Sequence, residues 1–232
     1  MLRLAAVLSC LLLLTGCDWS DCGDCMTSGG KGTEIRGSGV MKTEVRQLEP
    51  FTSIEITDVE SSYLVIEQTG EESLMVTAEE NLLEMFTSEV RDGVLYLTFK
   101  KGNSFHGKRP TYKVTVKELR HIHVQGGVAI EAKKLESEKL TILVEGAAGG
   151  NLSGRVDDLT IDIKGAGVLS AGDLKAKRAK VSVQGAGQVT VNASDELDAE
   201  MAGAGIIWYI GAPKLKSTVE GLGWIKRKPF SS

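Results

Sequence analysis

A few groups of residues in this chain have the types that chemistry needs. His121 and His123 lie two apart in LRHIHVQ, and on an extended strand such residues share a face. Paired imidazoles in that arrangement can give two ligands to one metal ion. Further ligands are not evident beside them, although His106 could approach from KGNSFHGKRP. Two solvated histidines on a strand are the simpler reading, so no metal and no other cofactor is expected. Asp162, Glu145, Glu200 and Glu220 alternate with Lys164, Lys180 and Lys216. Acids and bases lining a long groove would suit an enzyme acting on an acidic polysaccharide. Their alternation fits charge balancing between neighbouring strands better. No Ser-His-Asp set emerges, with three histidines and serines mostly in turn-like segments. The triplet Gly165-Ala166-Gly167, repeated at Gly185-Ala186-Gly187 and Gly203-Ala204-Gly205, could be taken for a phosphate cradle. That motif needs a third glycine and a following helix. Ser170, Thr190 and Trp208 stand where the third glycine would be, and the triplet recurs.

The recurrence identifies the elements that hold these residues. Corner glycines fall at Gly126, Gly146, Gly165, Gly185, Gly203 and Gly221, spaced 20, 19, 20, 18 and 18 residues apart. Counted from each glycine, positions −6, −4, −2, +1, +4 and +6 are apolar at 31 of 36 sites. The interleaved −5, −3 and −1 positions are apolar at 2 of 18, so the period is two and the segments are strands. Each is too short to hold a helix between strands. A strand period repeated every 18–21 residues predicts an all-β chain wound into a parallel β-helix, a solenoid whose coils stack about 4.8 Å apart. Right-handed coiling is expected because strand crossovers favour that hand. The glycines are then corners, and the alanine at +1 is expected to point inward. Residues 34–118 alternate less regularly and read as broader early coils of one domain spanning 34–232, continuous with regular coils over 119–228. Asp92-Gly93 marks a tight turn, residues 81–84 a short helical turn, and KGNSFHGKRP an exposed loop.

One feature breaks the polar rule on the outer face. Ile206, Trp208 and Ile210 occupy the outward phase of their coil, and Trp224 should lie beside Ile206 on the next. Upstream, Gln188, Thr190 and Asn192 hold the equivalent places. An apolar patch of this kind usually marks an interface, here with protein, glycan, a membrane or a second copy. The alternative is that the C-terminal tail folds back over it. Lys226, Arg227, Lys228 and Pro229 read as protection of the last strand edge, which disfavours a scaffold stacked end to end.

The chain opens with MLRLAAVLSCLLLLTGC, an apolar run too short for a permanent span and shaped like a secretory signal. Leu14-Thr15-Gly16-Cys17 resembles the lipobox of bacterial lipoproteins. That resemblance implies cleavage after residue 16, with fatty acids such as palmitate on Cys17 giving stable anchoring. Asp18 resembles the signal that retains enteric lipoproteins in the inner membrane, while inner or outer membrane stays open. Residues 17–33 read as a flexible tether, with Cys22 and Cys25 as a local disulfide or two thiols. Without residues 1–16 the formal charge is 26 minus 31, or −5, which is unsuited to nucleic acid.

FTSIEI, YLVIEQ, NLL and DGVLYLTF, followed by the glycine-cornered coils, resemble the head GIN domain family over about residues 45–225. The resemblance implies a β-helical domain outside the cytoplasm and carries no catalytic residues. The expectation is a non-catalytic, lipid-anchored, periplasm-facing protein of the cell envelope, adhesin-like or structural. Trp208, Trp224, Ile206 and Ile210 are its candidate contact residues, and the alternative is a carbohydrate-active β-helix enzyme.

Overall fold

Side chains along the chain point alternately into a central shaft and out to solvent; that alternation runs through the glycine corners unbroken and slips at the other bends, as from Ala171 to Leu174. The computed structural model describes residues 33–59 and 61–229, so the leader (1–16), Cys17, Cys22 and Cys25 lie outside the described residues. The described part lies in one compact unit, Gly32–Ser232. Its elements in chain order begin with β1 (Thr33–Arg36), β2 (Met41–Arg46), β3 (Ser53–Thr57), β4 (Ser62–Gln68) and β5 (Ser73–Glu79). A 3-10 turn, Leu83–Met85, leads into β6 (Phe86–Arg91), β7 (Val94–Phe99), β8 (Asn103–His106), β9 (Thr111–Val116) and β10 (His121–Gln125). Four long strands follow: β11 (Gly127–Val144), β12 (Ala147–Ile163), β13 (Ala166–Val183) and β14 (Ala186–Met201). Three short ones close the stack: β15 (Ala204–Ile210), β16 (Lys214–Val219) and β17 (Leu222–Arg227).

The long strands pair in parallel, β11 with β12, β12 with β13 and β13 with β14, each bending at register shifts such as that between Asn151 and Ser153. β15 and β16 both pair with β14, and β17 pairs with β15. This is the parallel β-solenoid that the repeat predicts, with columns of identical phase down its axis. Ile142, Ile161, Val181 and Ala199 share one column, and Val144, Ile163, Val183 and Met201 another, all fully buried. Each buried aliphatic side chain contributes about 1.5–3 kcal/mol.

The corners explain the glycines. Ala147, Ala166, Ala186 and Ala204 donate their N–H groups to the carbonyls of Gly126, Gly146, Gly165 and Gly185 one coil earlier, at 2.8–3.0 Å. A Cβ built on Gly165, Gly185 or Gly203 would overlap the corner carbonyl of the preceding coil. Only glycine lets two coils approach that closely. The alanine at +1 does not point inward: Ala147, Ala166, Ala186 and Ala204 are exposed. An inward +1 alanine requires the alternation to slip at the corner, and it does not slip. The inward places are the corner glycine itself and then +2, +4 and +6, as in Val128, Ile130 and Ala132.

The first half departs from simple coils. β3 lies between β7 and β10, and β4 between β9 and β11, all in parallel. The layer formed first in sequence is therefore sandwiched between two later ones. Beyond it the pairing turns antiparallel: β6 with β7, β5 with β9 and β2 with β5. Asp92 and Gly93 both have positive φ (51° and 75°), which suits the tight β6–β7 hairpin. These strands cap the shaft together with Leu82 and Leu83 and the cluster of Phe86, Phe99, Phe105 and Tyr112. KGNSFHGKRP is not a plain loop: Asn103–His106 is β8, paired in parallel with β1, and Phe105 reaches the aromatic cluster. The tether reading of 17–33 also ends a residue late, because Thr33 opens β1. The buried Glu79 carboxylate accepts the N–H groups of Gly39 (2.6 Å) and Lys108 (2.9 Å), fastening the β1–β2 and β8–β9 connections together.

At the opposite end β16 and β17 have, among the described residues, a partner on one edge only. Leu215 and Val219 continue buried columns yet are exposed there, 39% and 47%, because no coil of the described residues covers them.

Candidate functional site

The wall that carries Trp208 is built by the strand halves that follow each corner. Register sets two outward columns across it. One runs Val168, Gln188, Ile206, Trp224; the next runs Ser170, Thr190, Trp208, Lys226. Ile210 lies beside Asn192 in a third. Trp224 thus sits directly against Ile206, as their 18-residue spacing requires. Its ring is 60% exposed, and the Lys226 ammonium lies 5.4 Å from the ring centroid, a cation–π contact. Ile206, Trp208 and Ile210 are half-buried rather than open, and Thr190 is covered to 5% exposure. The patch is a continuous sheltered surface with Trp224 as its protruding element. Val168, 62% exposed at the head of the Trp224 column, is a further outward apolar residue, separated from the patch by Gln188. Its outward +3 position is the signal by which the sequence could have identified it.

On the other wall His121 is exposed between Ser53 and Thr141, and His123 is half-buried between Glu55 and Leu143. His123 Nε2 lies 2.9 Å from Glu145 Oε2, and its Nδ1 is 3.8 Å from Glu55 Oε2. Gln125 Nε2 donates to the same Glu145 oxygen at 3.1 Å, and Lys164 Nζ donates to the other at 3.1 Å. His106 does not join them; it stands on β8, paired with Arg36 of β1. Among the described residues no group of three or more His, Cys, Asp or Glu side chains is placed to hold a metal ion. Of the four outward acids singled out by the sequence, only Glu145 has a cation among the described residues. Two other carboxylates, Asp158 and Asp198, find theirs one coil away, Arg178 gripping Asp158 with two hydrogen bonds at 2.6 and 2.7 Å and Lys216 reaching Asp198 at 3.3 Å.

The His123 hydrogen bond, then that of Lys164, holds the Glu145 carboxyl below the usual carboxylate range. The Arg178 fork does the same for Asp158. A carboxylate lowered in the folded state adds stability above its unfolded pKa, and loses it as pH falls through the folded value. Denaturant unfolding of Glu145→Gln is therefore expected to show a shallower loss of stability than the parent below about pH 4.3, the ordinary glutamate value. Equal slopes in acid would remove Glu145 from the pH dependence.

Residues 50–213 match the family described as "Putative auto-transporter adhesin, head GIN domain". The chain belongs to this family. No curated protein matches it. Its head GIN domain is similar to a putative adhesin from Bacteroides fragilis, with 23% identity, 84% of this chain and 100% of that one covered, and a TM-score of 0.67. A putative adhesin from Parabacteroides merdae aligns at 21% identity over 85% of this chain and 100% of its own, with a TM-score of 0.52. A putative lipid binding protein from Parabacteroides distasonis gives 22% identity, 85% and 100% coverage and a TM-score of 0.51. Likeness at these identities establishes the fold of the head GIN domain. Among its described residues no helix is long and apolar enough to cross a membrane.

Proposed function

We propose that this head GIN protein is a non-catalytic, adhesin-like contact module of the cell envelope. Fatty acids on Cys17 hold it to a membrane, and its domain faces the periplasm. The wall bearing Ile206, Trp208, Ile210 and Trp224 meets a protein or glycan partner, or a second copy of the chain. The observation that carries this reading is the Ile206–Trp224 pairing, an apolar and aromatic ladder in an outward phase that is polar at Gln188 and Asn192. Aromatic side chains at such positions carry most of the energy of an interface. The ion pairs that occupy Glu145, Asp158 and Asp198 support a non-catalytic reading, since those carboxylates face cations in place of an acid partner. The printed descriptions of its relatives, putative adhesins in the main, point the same way.

The test is the double variant Trp208→Ala with Trp224→Ala. Circular dichroism should be unchanged, while glycan-panel binding or self-association by analytical ultracentrifugation weakens about thirtyfold or more, the effect of a truncated hot spot. Both readouts unchanged would dismiss the patch. Turnover of an acidic polysaccharide by the purified chain would replace the proposal with the enzyme.

A further inference from the structure

The open end of the solenoid has a composition unlike the rest of the molecule. Residues 211–229 contain Lys214, Lys216, Lys226, Arg227 and Lys228 against the single acid Glu220. The chain's net charge of −4 thus divides into +4 on this last coil and −8 elsewhere. Lys214, Lys216, Lys226 and Lys228 take the outward phase, so they stand around the rim. Among the described residues only Lys216 of the five forms an ion pair, with Asp198. Inside the rim the shaft ends in Leu215, Val219 and the half-buried Ile225, while Leu222, outward at the last corner like Ala204 before it, stands on the rim itself at 83% exposure. The outer edges of β16 and β17 add a row of backbone groups with no strand partner among the described residues.

We propose that this end docks on an anionic phospholipid bilayer. The proposal concerns the terminal rim; Lys226 belongs both to that rim and to the wall above, so the rim is tested at Lys214 and Lys228 instead. A second copy meets the rim badly: tail to tail, the same lysines face each other. Head to tail, they meet β2, β6 and the turn before β6, where Lys42, Arg46 and Arg91 against Glu44, Glu80, Glu84 and Glu89 leave a net charge of only −1, a weak match for +4. An acidic glycan offers charge but no apolar depth for Leu215, Val219 and Leu222. A bilayer surface offers both, because anionic headgroups overlie acyl carbon. Basic and apolar side chains on one face are what interfacial binding requires. At headgroup depth, phosphate oxygens and water accept the unpaired N–H groups of the edge, so no bare strand enters hydrocarbon.

The experiment uses the chain from residue 17 with Cys17→Ser, so that no acyl anchor contributes. It is sedimented with vesicles of phosphatidylcholine alone or mixed with phosphatidylglycerol. Binding to the mixed vesicles alone is expected, abolished in about 1 M salt, where the screening length is about 3 Å. Lys214→Gln with Lys228→Gln should weaken partitioning about twenty-five-fold, about fivefold for each cation removed. Leu222→Ser should weaken it about tenfold at unchanged salt dependence. Trp208→Ala, which belongs to the wall, should leave it unchanged. Equal retention on neutral vesicles, no retention on either, or indifference to the rim variants would overturn the proposal. So would a chain that self-associates without vesicles and loses that association in the rim variants, since the occupant would then be a second copy.

Discussion

Gly185→Ala is expected to lower unfolding free energy by about 2–4 kcal/mol, a large fraction of the stability of an ordinary domain. The added Cβ would overlap the carbonyl oxygen of Gly165, the acceptor of the Ala186 N–H at 3.0 Å. Relief requires the two coils to part, which strains packing by about 1–3 kcal/mol and weakens a ladder hydrogen bond by about 1 kcal/mol. The parting also propagates, because Gly203 stacks on Gly185 in the same way. Gly149→Ala is the control: its added Cβ meets only the Val168 carbonyl oxygen, at 3.7 Å, an ordinary contact. It should change stability by less than about 0.5 kcal/mol. Urea unfolding followed by circular dichroism separates the two. If Gly185→Ala unfolds within about 1 kcal/mol of the parent, close corner stacking is not what fixes glycine there.

Phe86→Ala should cost about 3–5 kcal/mol, the cost of removing a fully buried aromatic ring. Phe86 is 1% exposed and lies 4.9 Å from Phe99, 5.2 Å from Phe105 and 6.4 Å from Tyr112, centroid to centroid. Each aromatic pairing adds about 0.5–1.5 kcal/mol beyond area burial, so the loss spreads through the cap. Amide exchange should accelerate first in β6, β8 and β9, and only later in β13. Uniform acceleration along the whole stack would mean that the cap and the coils open as one unit.

The period of two was legible because alternation is a local property of a strand, and the −2 column shows it. Val124, Val144, Ile163, Val183 and Met201 are all fully buried. The same column fails at Val219 because burial there needs a further coil over it, and none of the described residues forms one. The inward alanine was a misreading of phase: with no side chain at the corner glycine, the sequence does not show that the glycine itself takes the inward place. β8 was missed for a different reason. Its four residues pair with Thr33–Arg36, some 70 positions away, and nothing local announces a partner at that distance. The order β7, β3, β10 was hidden for the same reason. The contact patch was partly readable, since an 18-residue spacing puts Trp224 on Ile206. How far neighbours cover Trp208 depends on side-chain packing that spacing does not encode.

The sandwiched position of β3 and β4 constrains how the molecule can be made. A chain emerging from its beginning offers β3 and β4 before any strand that flanks them, for those partners arrive with residues 94–116 on one side and 121–133 on the other. Until then an early layer has both edges bare, and closing it means recruiting segments across large sequence separations, which is slow. Once that nucleus exists, each later turn needs only its immediate predecessor as a template. Growth should therefore be halting at the start and processive afterwards. Shortening from the far end would shed turns one by one, whereas damage before residue 120 would leave nothing on which to build.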